Sequence, residues 1–299
     1  MRYNRKNRLR VNNKSPIKRG LVITAFILVF AALIAYGVVA YSRTGTIIPT
    51  AELFDGRPTI RFVDVGQGDC TLVTYRGDSV LIDAGPRSNG EIAADYVRMY
   101  APTIDYMVIT HPHEDHIGGA VDIMKRTKVK NLVLPDIEVG EEFYRNTIAL
   151  AEKRGVNIIR LNEEQSFDTD GGAIHIDVLD AFGLEYDDLN DASLITKVKV
   201  GSTAVLFTGD AEHEEEAVLL WRVPDQLDCD ILQVGHHGSS TSTDEDFLAA
   251  CSPEKCVISC GKNNSYGHPS AEVLQRIKDF GAEVFRTDRK GTVVLRGQK

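Results

Sequence analysis

Residues 106–119 read YMVITHPHEDHIGG, an apolar run that passes directly into a cluster of polar residues. The first five of these residues predict a buried strand. His111 and His113 leave that strand two residues apart, so both side chains can point to one side and share a metal ion. Asp115 and His116 follow at the turn into the next helix, where they can bind a second ion or the same one. Four such residues in so short a window favour a metal site over an ordinary polar loop.

Two later strand ends carry residues of the same chemical kind. In LFTGDAE, Asp210 follows a predicted strand, and its two carboxylate oxygens can bridge two metal ions. In LQVGHHGS, His236 and His237 follow another apolar run. Asp83 ends the predicted strand in LIDAG, where it can accept the outer N–H of a ligand histidine and fix its tautomer. The alternative for Asp83 is an ordinary turn aspartate before glycine.

Predicted strands and helices mix throughout two successive halves of the chain. Strands come first, at 59–65, 69–75 and 79–83, separated by turns that contain glycine. A helix at 89–100 then opens an alternation of strands and helices that ends in a strand at 292–295. This pattern predicts a layered α/β domain in which sheets are sandwiched between helices.

A long apolar segment precedes this domain. Residues 21–41, LVITAFILVFAALIAYGVVAY, contain no charge and are long enough to cross a bilayer as one helix. Eight cations and no acid precede the segment, which by the positive-inside bias puts the N-terminus in the cytoplasm. A cleavable signal peptide competes, but its apolar region would be shorter and the cleavage site here is poor. We therefore expect a basic cytoplasmic tail (1–20), a single-pass anchor in the cell membrane (21–41), a linker (42–56) and an extracytoplasmic domain (57–299).

The net charge of −9 is unevenly distributed. Removing the eight N-terminal cations from the 34 Lys and Arg leaves 26 against 43 Asp and Glu, so residues 43–299 carry −17. A domain this acidic repels polyanions unless a metal ion or a local basic patch intervenes. The charge therefore excludes a generic nucleic-acid-coating module.

Five cysteines lie in the predicted extracytoplasmic domain. An oxidising location permits a disulfide, and the odd number leaves at least one thiol free. The spacing of the last three matches no zinc pattern, so buried free cysteines are expected instead. The five are Cys70, Cys229, Cys251, Cys256 and Cys260.

The segments LIDAGP, THPHEDHIGG, SLI, TGD and VGHHGS occur in this order and resemble the motifs of the metallo-β-lactamase superfamily. FVDVGQGDC, HHGS and SYGHPS are more specific, and they are similar to the extracytoplasmic domain of ComEC-type DNA-uptake proteins. The resemblance covers about residues 57–299. It implies an αββα sandwich with a one- or two-ion site at the edge of the paired sheets.

The resemblance also implies a ligand set. Of the two adjacent histidines, His237 rather than His236 matches the last ligand, because the family histidine usually precedes a small residue. The other implied roles are His111 and His113 for the first ion, Asp115 and His116 for the second, and Asp210 as the bridge.

One departure from the superfamily concerns the first ion. Many members give that ion a third histidine, whereas the matching segment here is LNDASLI, with Asn190, Asp191 and Ser193. The ComEC-type relatives share this lack. The remaining histidines outside the motifs, His175 and His213, are expected at the surface.

The ligand set predicts metal-dependent hydrolysis. A bound ion lowers the pKa of water from 15.7 towards roughly 7, and two ions about 3.5–4 Å apart can hold hydroxide and neutralise a phosphate oxygen. Nitrogen and oxygen ligands suit Zn²⁺, and also Mn²⁺. The predicted catalytic residues are Asp115, Asp210 and His268, the last binding substrate or protonating the leaving oxygen. Supporting or substrate contacts are expected from Asp83, Asn190, Asp191, His236, Ser239, Ser240 and Asn264.

Three functions fit these residues. The resemblance implies a membrane-anchored phosphodiesterase or nuclease that acts on DNA and belongs to a DNA-uptake system. A hydrolase of a small or wall-derived ester, such as a phosphocholine ester or a lactone, fits the acidic charge. A non-catalytic metal-binding accessory of an uptake complex is disfavoured, because a binding module needs no open ion site. The only obvious basic patch in the domain is formed by Arg286, Arg289, Lys290 and Arg296.

Overall fold

The structure is a computed structural model that describes residue 29 and residues 56–137, 139–179 and 189–299. The predicted tail, and nearly all of the predicted membrane span and linker, lie outside the described residues. Among those that are described, no helix is long and apolar enough to cross a bilayer. The chain divides into two units, Met1–Pro49 and Thr50–Lys299, and the fold below belongs to the second.

The described residues contain fourteen strands. In chain order they are β1 (Thr59–Phe62), β2 (Thr71–Tyr75), β3 (Asp78–Ile82), β4 (Thr103–Val108), β5 (Lys128–Pro135), β6 (Asn157–Leu161), β7 (Gln165–Asp168), β8 (Ile174–Leu179), β9 (Ile195–Val200), β10 (Thr203–Phe207), β11 (Ile231–Gln233), β12 (Lys255–Ile258), β13 (Glu283–Arg286) and β14 (Val293–Arg296).

Eight α-helices connect these strands in the same part of the chain. They are α1 (Gly90–Tyr100), α2 (Glu114–Ile117), α3 (Ala120–Arg126), α4 (Glu142–Arg154), α5 (His213–Arg222), α6 (Glu245–Cys251), α7 (Ala271–Phe280) and α8 (Thr287–Lys290).

The strands form two seven-stranded sheets, one from each half of the domain. The first has the order β14-β1-β2-β3-β4-β5-β6, and the second the order β13-β12-β11-β10-β9-β8-β7. In each sheet one side is antiparallel and the other parallel: β3 to β6 run parallel in the first sheet, and β10 to β13 in the second. The carboxyl ends of parallel strands share one edge of a sheet, which is where loops can converge on a ligand.

Three apolar layers hold the sheets and helices together. The two sheets pack face to face, and the rings of Phe62 and Phe207 meet across the interface with centroids 6.1 Å apart. Helices α1, α3 and α4 cover the outer face of the first sheet. Helices α5, α6 and α7 cover the outer face of the second. This is the αββα arrangement expected from the sequence.

Local patterns explain where individual elements lie. Along β8, Ile174 and Ile176 are fully buried while His175 and Asp177 are part-exposed, as alternation in a strand with one buried face requires. Helix α7 begins where the Ser270 side chain accepts the backbone N–H of Val273, and it ends at Gly281 in the left-handed region.

Some elements differ from the sequence prediction. The helix expected near residues 118–126 is observed as α3, and a further short helix, α2, precedes it across a pair of glycines. Strands β7 and β13 and helix α6 were not predicted. The two strands are four-residue segments at sheet edges, and the helix has only two turns, so none has enough apolar periodicity to be read from sequence.

Candidate metal centre

Loops after β3, β4, β10 and β11 bring the predicted ligands together at one edge of the sandwich. At this edge, two groups of described side chains have ligand atoms within 4.8 Å of one another. Asp210 belongs to both groups, so they share its carboxylate. The first group is His111, His113 and Asp210, and the second is Asp69, His116, Asp210 and His237.

The first group contains a close histidine pair. His111 Nε2 and His113 Nδ1 are 3.0 Å apart, and His111 Nε2 is 3.9 Å from Asp210 Oδ2. Burial, followed by the charge of His116, lowers the pKa of His111 well below its usual range. A neutral imidazole is the form that binds a metal ion, so the two histidines are suited to ligate one cation between them.

The second group is fixed by hydrogen bonds behind its ligand atoms. His116 Nδ1 donates to Asp83 Oδ2 at 2.9 Å, which turns Nε2 towards Asp210 Oδ1 at 3.1 Å. His237 Nδ1 donates to the backbone carbonyl of Ser259 at 3.0 Å, which turns its Nε2 towards Asp210 Oδ2 at 3.6 Å. Each ring therefore points one particular nitrogen at the shared carboxylate.

Asp83 lies directly behind the ligands, where the sequence placed it. Its carboxylate accepts the backbone N–H of Thr110 at 2.8 Å and the Thr110 hydroxyl at 2.9 Å, in addition to the ring of His116. Asp83 has φ 57°, in the left-handed region that aspartate and asparagine tolerate better than most residues. This conformation turns its side chain towards the end of β4.

Asp69 is a member of the second group that sequence reasoning missed. It lies in FVDVGQGDC, which contributed to the resemblance without a role being assigned to its aspartate. Gln233 Nε2 donates to Asp69 Oδ2 at 2.7 Å, and His237 Nδ1 is 3.8 Å from the same oxygen. Burial raises the pKa of Asp69 to about 6, against the opposing effect of His237 and His116.

Asp115 contacts the centre from its rim. Its Oδ2 accepts from His237 Nε2 at 3.2 Å, and its side chain is part-exposed. Burial alone would raise the pKa of Asp115, but the hydrogen bond from His237 and the charge of His116 lower it below the usual value. The carboxylate is therefore ionised and adjacent to the second group.

The structure distinguishes the two adjacent histidines. The side chain of His237 is 2% exposed and belongs to the second group, whereas that of His236 is 22% exposed. His236 Nδ1 donates to Glu212 Oε1 at 2.8 Å, and its Nε2 stays 3.8 Å from Asp210. The geometry favours His237 as the ligand and places His236 at the entrance.

The segment that lacks the third histidine still contacts the first group. Asn190 is buried in a 3₁₀ turn, Asn190–Ala192, and the side chain of Asp191 lies outside the described residues. Ser193 Oγ accepts the backbone N–H of Asp210 at 3.1 Å and lies 3.3 Å from His111 Nδ1. Ser193 thus orients a predicted ligand ring and the shared aspartate, and SLI in the motif was its only sequence signal.

The other predicted substrate residues differ in what they contact. The ring of His268 lies 5.5 Å from that of His236, and burial, with the charges of His236 and His237, lowers its pKa. Ser239 is buried and bonds to the hydroxyl of Thr241. Asn264, which we expected to contact substrate, instead uses its amide on the backbone of its own loop.

The electrostatics of the second group fit a divalent cation. The carboxylates of Asp69, Asp83 and Asp210 are each at most 3% exposed, and they surround the rings of His116 and His237. In this arrangement the carboxylates favour the protonated form of the histidines. Burial lowers the pKa of His237, but the charge of Asp210 and the hydrogen bond to Asp115 outweigh that effect and raise the pKa to about 9. Bound cations would supply the same positive charge and displace those protons.

Orphaned polar atoms point to the same conclusion. His116 Nε2 and Asp210 Oδ1 face each other at 3.1 Å but at angles that do not form a hydrogen bond, and both are buried. Asp69 Oδ1 is also buried with no hydrogen-bond partner among the described residues. Buried polar atoms without partners are costly, and a metal ion would satisfy all three.

The two histidines that we expected at the surface, His175 and His213, lie outside the two ligand groups. His175 lies between Asp168 and Asp177 on β8, and its side chain is 37% exposed. His213 is part-exposed at the start of α5. All five cysteines are buried and free.

The sequence of this chain matches the family model described as the metallo-β-lactamase superfamily over residues 63–262. It is 32% identical to ComE operon protein 3 of Bacillus subtilis (strain 168) over 260 residues, which is 79% of this chain and 33% of that protein. It is 30% identical to competence protein ComA of Neisseria gonorrhoeae over 241 residues, 77% of this chain and 31% of that protein. The chain therefore spans about a third of the length of these relatives.

Comparison with solved structures identifies the same fold. The metallo-β-lactamase fold protein YhfI of Bacillus subtilis superimposes with a TM-score of 0.56 at 14% identity, covering 80% of this chain and all of that protein. At this level of identity the likeness concerns the arrangement of sheets and helices.

Proposed function

This chain belongs to the metallo-β-lactamase superfamily of metal-dependent hydrolases, and from that premise we propose that it is a membrane-anchored phosphodiesterase that cleaves DNA outside the cytoplasm. The proposal includes two divalent ions, Zn²⁺ or Mn²⁺, and participation in DNA uptake.

The sharing of Asp210 by two ligand groups is the observation that supports phosphodiester cleavage best. His111 and His113 belong to one of the groups that share this carboxylate, and His116 and His237 belong to the other. When bound, paired divalent ions make water more acidic and neutralise charge on a phosphate oxygen. A non-catalytic binding module would need only one closed site.

Several residues around the ligands orient the ligand side chains. Asp83 and the carbonyl of Ser259 fix the tautomers of His116 and His237. Ser193 holds the Asp210 backbone and the His111 ring together. These contacts keep the ligand atoms in place before substrate arrives, so little reorganisation accompanies the reaction.

His268 is the residue we assign to the substrate side. Its ring lies 5.5 Å from His236 and 6.5 Å from His237, between the ligands and the entrance. Its buried Nδ1 has no hydrogen-bond partner among the described residues. A ring N–H of His268 would donate to a phosphate oxygen or to the leaving oxygen.

DNA as substrate is supported by the names of the relatives, one of which is a competence protein. The acidic charge of residues 43–299 opposes this substrate, and the predicted basic patch gives little relief. Arg286 donates two hydrogen bonds to Asp288, and Lys290 lies over the ring of Phe285. Cations at the metal centre would instead offset the repulsion where the strand is cut.

The anchor and the outside location rest on the sequence alone. The apolar segment 21–41 and the eight cations before it support a single span with a cytoplasmic N-terminus. A DNA-cleaving domain outside the membrane suits a protein that handles incoming strands.

Metal-dependent cleavage by the full chain tests the function. Purified protein is stripped of metal, reloaded with Mn²⁺ or Zn²⁺, and assayed on labelled single-stranded DNA and on a small phosphodiester. We expect DNA cleavage that Asp210→Ala abolishes and that Asp225→Ala, an exposed aspartate away from the ligands, retains. Turnover of the small diester alone would overturn DNA as the substrate, and metal binding without any turnover would overturn the phosphodiesterase.

A further inference from the structure

An exposed tyrosine lies beside the metal centre and has no place in the ligand set. Tyr266 is 70% exposed, whereas most large apolar side chains of the domain are buried. It belongs to the loop between β12 and α7, two residues before His268. A large aromatic ring held in water at the entrance of a site is a candidate for substrate contact.

The loop that presents Tyr266 is tied down at both ends. Asn264 Nδ2 donates to the carbonyls of Gly261 and His268, at 2.9 and 2.6 Å, and its Oδ1 accepts the His268 N–H at 3.0 Å. The Gly261 N–H in turn donates to Gln67 Oε1 at 3.0 Å, in the loop after β1. Because the amide of Asn264 closes the loop on itself, the position of Tyr266 is set by the backbone.

The tyrosine continues a row of rings that starts at the ligands. His236 and His268 have centroids 5.5 Å apart at 76°, and His268 and Tyr266 have centroids 5.8 Å apart at 29°. His268 therefore covers one face of the Tyr266 ring, and the exposure of the tyrosine leaves the other face open to solvent. The row leads from the metal centre to the surface.

We propose that the open face of Tyr266 stacks on a nucleobase next to the phosphate held at the metal centre, which makes Tyr266 a substrate-positioning residue. The inference rests on the proposed DNA-cleaving function and adds how a strand is recognised. Lys262, exposed in the same loop, supplies a cation for a neighbouring phosphate.

Base stacking would allow this acidic domain to bind a DNA strand that its net negative charge repels. Most proteins that hold single strands combine a basic groove with aromatic platforms, but this domain is acidic. Stacking on a ring needs no net positive charge and accepts every base, because each base has a π face. By alanine substitution one such contact is worth about 1–3 kcal/mol, or about 5- to 150-fold in affinity.

The test compares two single strands of equal length, one with bases and one without. Full-length protein loaded with metal cleaves a labelled oligothymidylate or a strand of the same length with abasic, tetrahydrofuran sugars. Tyr266→Ala should raise KM for the thymidylate strand by about 5- to 150-fold, leave kcat in place and not change KM for the abasic strand. Tyr266→Phe keeps the ring and should behave as wild type.

Trp221→Ala is the matched control, since this tryptophan is 81% exposed on α5 and outside the row of rings. It should leave both strands unaffected. An equal loss on both strands with Tyr266→Ala, or no loss on either, would overturn the inference while the proposed function stands. Wild-type protein that cleaves neither strand would overturn both.

Discussion

The side-chain amide of Gln233, on β11 of the second sheet, donates a 2.7 Å hydrogen bond to Asp69, in the loop between β1 and β2 of the first sheet. The carbonyl oxygen of the same amide accepts the backbone N–H groups of Thr208 and Gly209, just before Asp210. One buried side chain therefore positions two of the acidic residues of the metal centre. It also joins the sheets at the edge where the ligands meet.

Gln233→Glu should destabilise the protein and weaken metal binding at neutral pH. The substitution keeps the acceptor for Thr208 and Gly209 but places a second buried carboxyl against Asp69. Leaving buried polar groups without partners costs about 1–3 kcal/mol, and more for charges. The loss in unfolding free energy, measured by urea denaturation, should shrink at about pH 5.5, where one carboxyl takes up a proton.

Gln275→Glu is the control for that experiment. Gln275 is exposed on α7 and also donates to an aspartate, Asp279, at 2.8 Å. In water this exchange should change stability little. Equal effects of the two substitutions would contradict the role assigned to Gln233.

Asp83→Asn should lower the affinity for metal while leaving the fold intact. Asparagine tolerates the left-handed backbone of this position, but its amide can present N–H to the ring of His116. The tautomer that puts a hydrogen on Nε2 is then favoured, and that nitrogen can no longer bind a cation. Loss of such a supporting partner typically costs 10–100-fold in metal affinity, roughly the effect expected in calorimetric titration with Mn²⁺ or Zn²⁺.

Asp225→Asn, on the exposed surface, should bind metal as the wild type does. Unchanged affinity in Asp83→Asn would show that His116 does not depend on this carboxylate.

His237→Ala and His236→Ala should separate the two adjacent histidines. His237 is buried within the second ligand group, so its removal should reduce the amount of metal retained after dialysis. His236 is part-exposed and bonded to Glu212, so its removal should leave metal content near that of the wild type. Metal content is measured by mass spectrometry, and a larger loss in His236→Ala would reverse the assignment.

Glu216 should make the protein less stable as pH rises. Its side chain is 1% exposed, and burial raises its pKa to about 8 from 4.5, against the backbone hydrogen bonds from Asp244 and Thr243. His213, Asp244 and Arg276 are the ionisable groups around it. Between those two pKa values the folded state holds a proton that the unfolded state has released, so unfolding free energy falls with increasing pH.

Glu216→Gln removes this titration and keeps a carbonyl acceptor for one of the two backbone N–H groups. The variant should match wild type near about pH 5 and exceed it by on the order of a few kcal/mol near about pH 9 in denaturant unfolding. The side chain of Glu254 is 70% exposed, so Glu254→Gln serves as the control. Its unfolding free energy should change with pH in the same way as that of the wild type. The same pH dependence in Glu216→Gln would contradict the role assigned to the Glu216 carboxyl.

A cysteine placed on the domain should report its side of the membrane. The five natural cysteines are buried, so they should react slowly with a membrane-impermeant maleimide in the folded protein. Asp225→Cys adds an exposed thiol. Labelling of intact cells is expected for an extracytoplasmic domain, and labelling only after lysis would place the domain in the cytoplasm.

Much of the fold and site could be predicted from sequence because the signals are local. The run 106–110 and the histidines that follow are contiguous, and chain direction alone brings them to the end of one strand. Helix α7 was predicted at its observed bounds, since a serine cap and a terminal glycine mark both ends. Strands β7 and β13 were not predicted, because four residues are too few to show apolar periodicity.

The sequence by itself determined the family, the layered α/β class and most of the ligand types, because short motifs and apolar periodicity encode them directly. Only the tertiary structure brought Asp69 to the centre and turned Asn264 inward to its own loop, and the burial of His237 supports the choice over His236 that the motif predicts. Asp69 and Gln233 are 164 positions apart, and Asp115 and His237 are 122 apart. Spacing along the chain contains no information about such contacts, which exist only because two sheets pack face to face and align their loop-bearing edges.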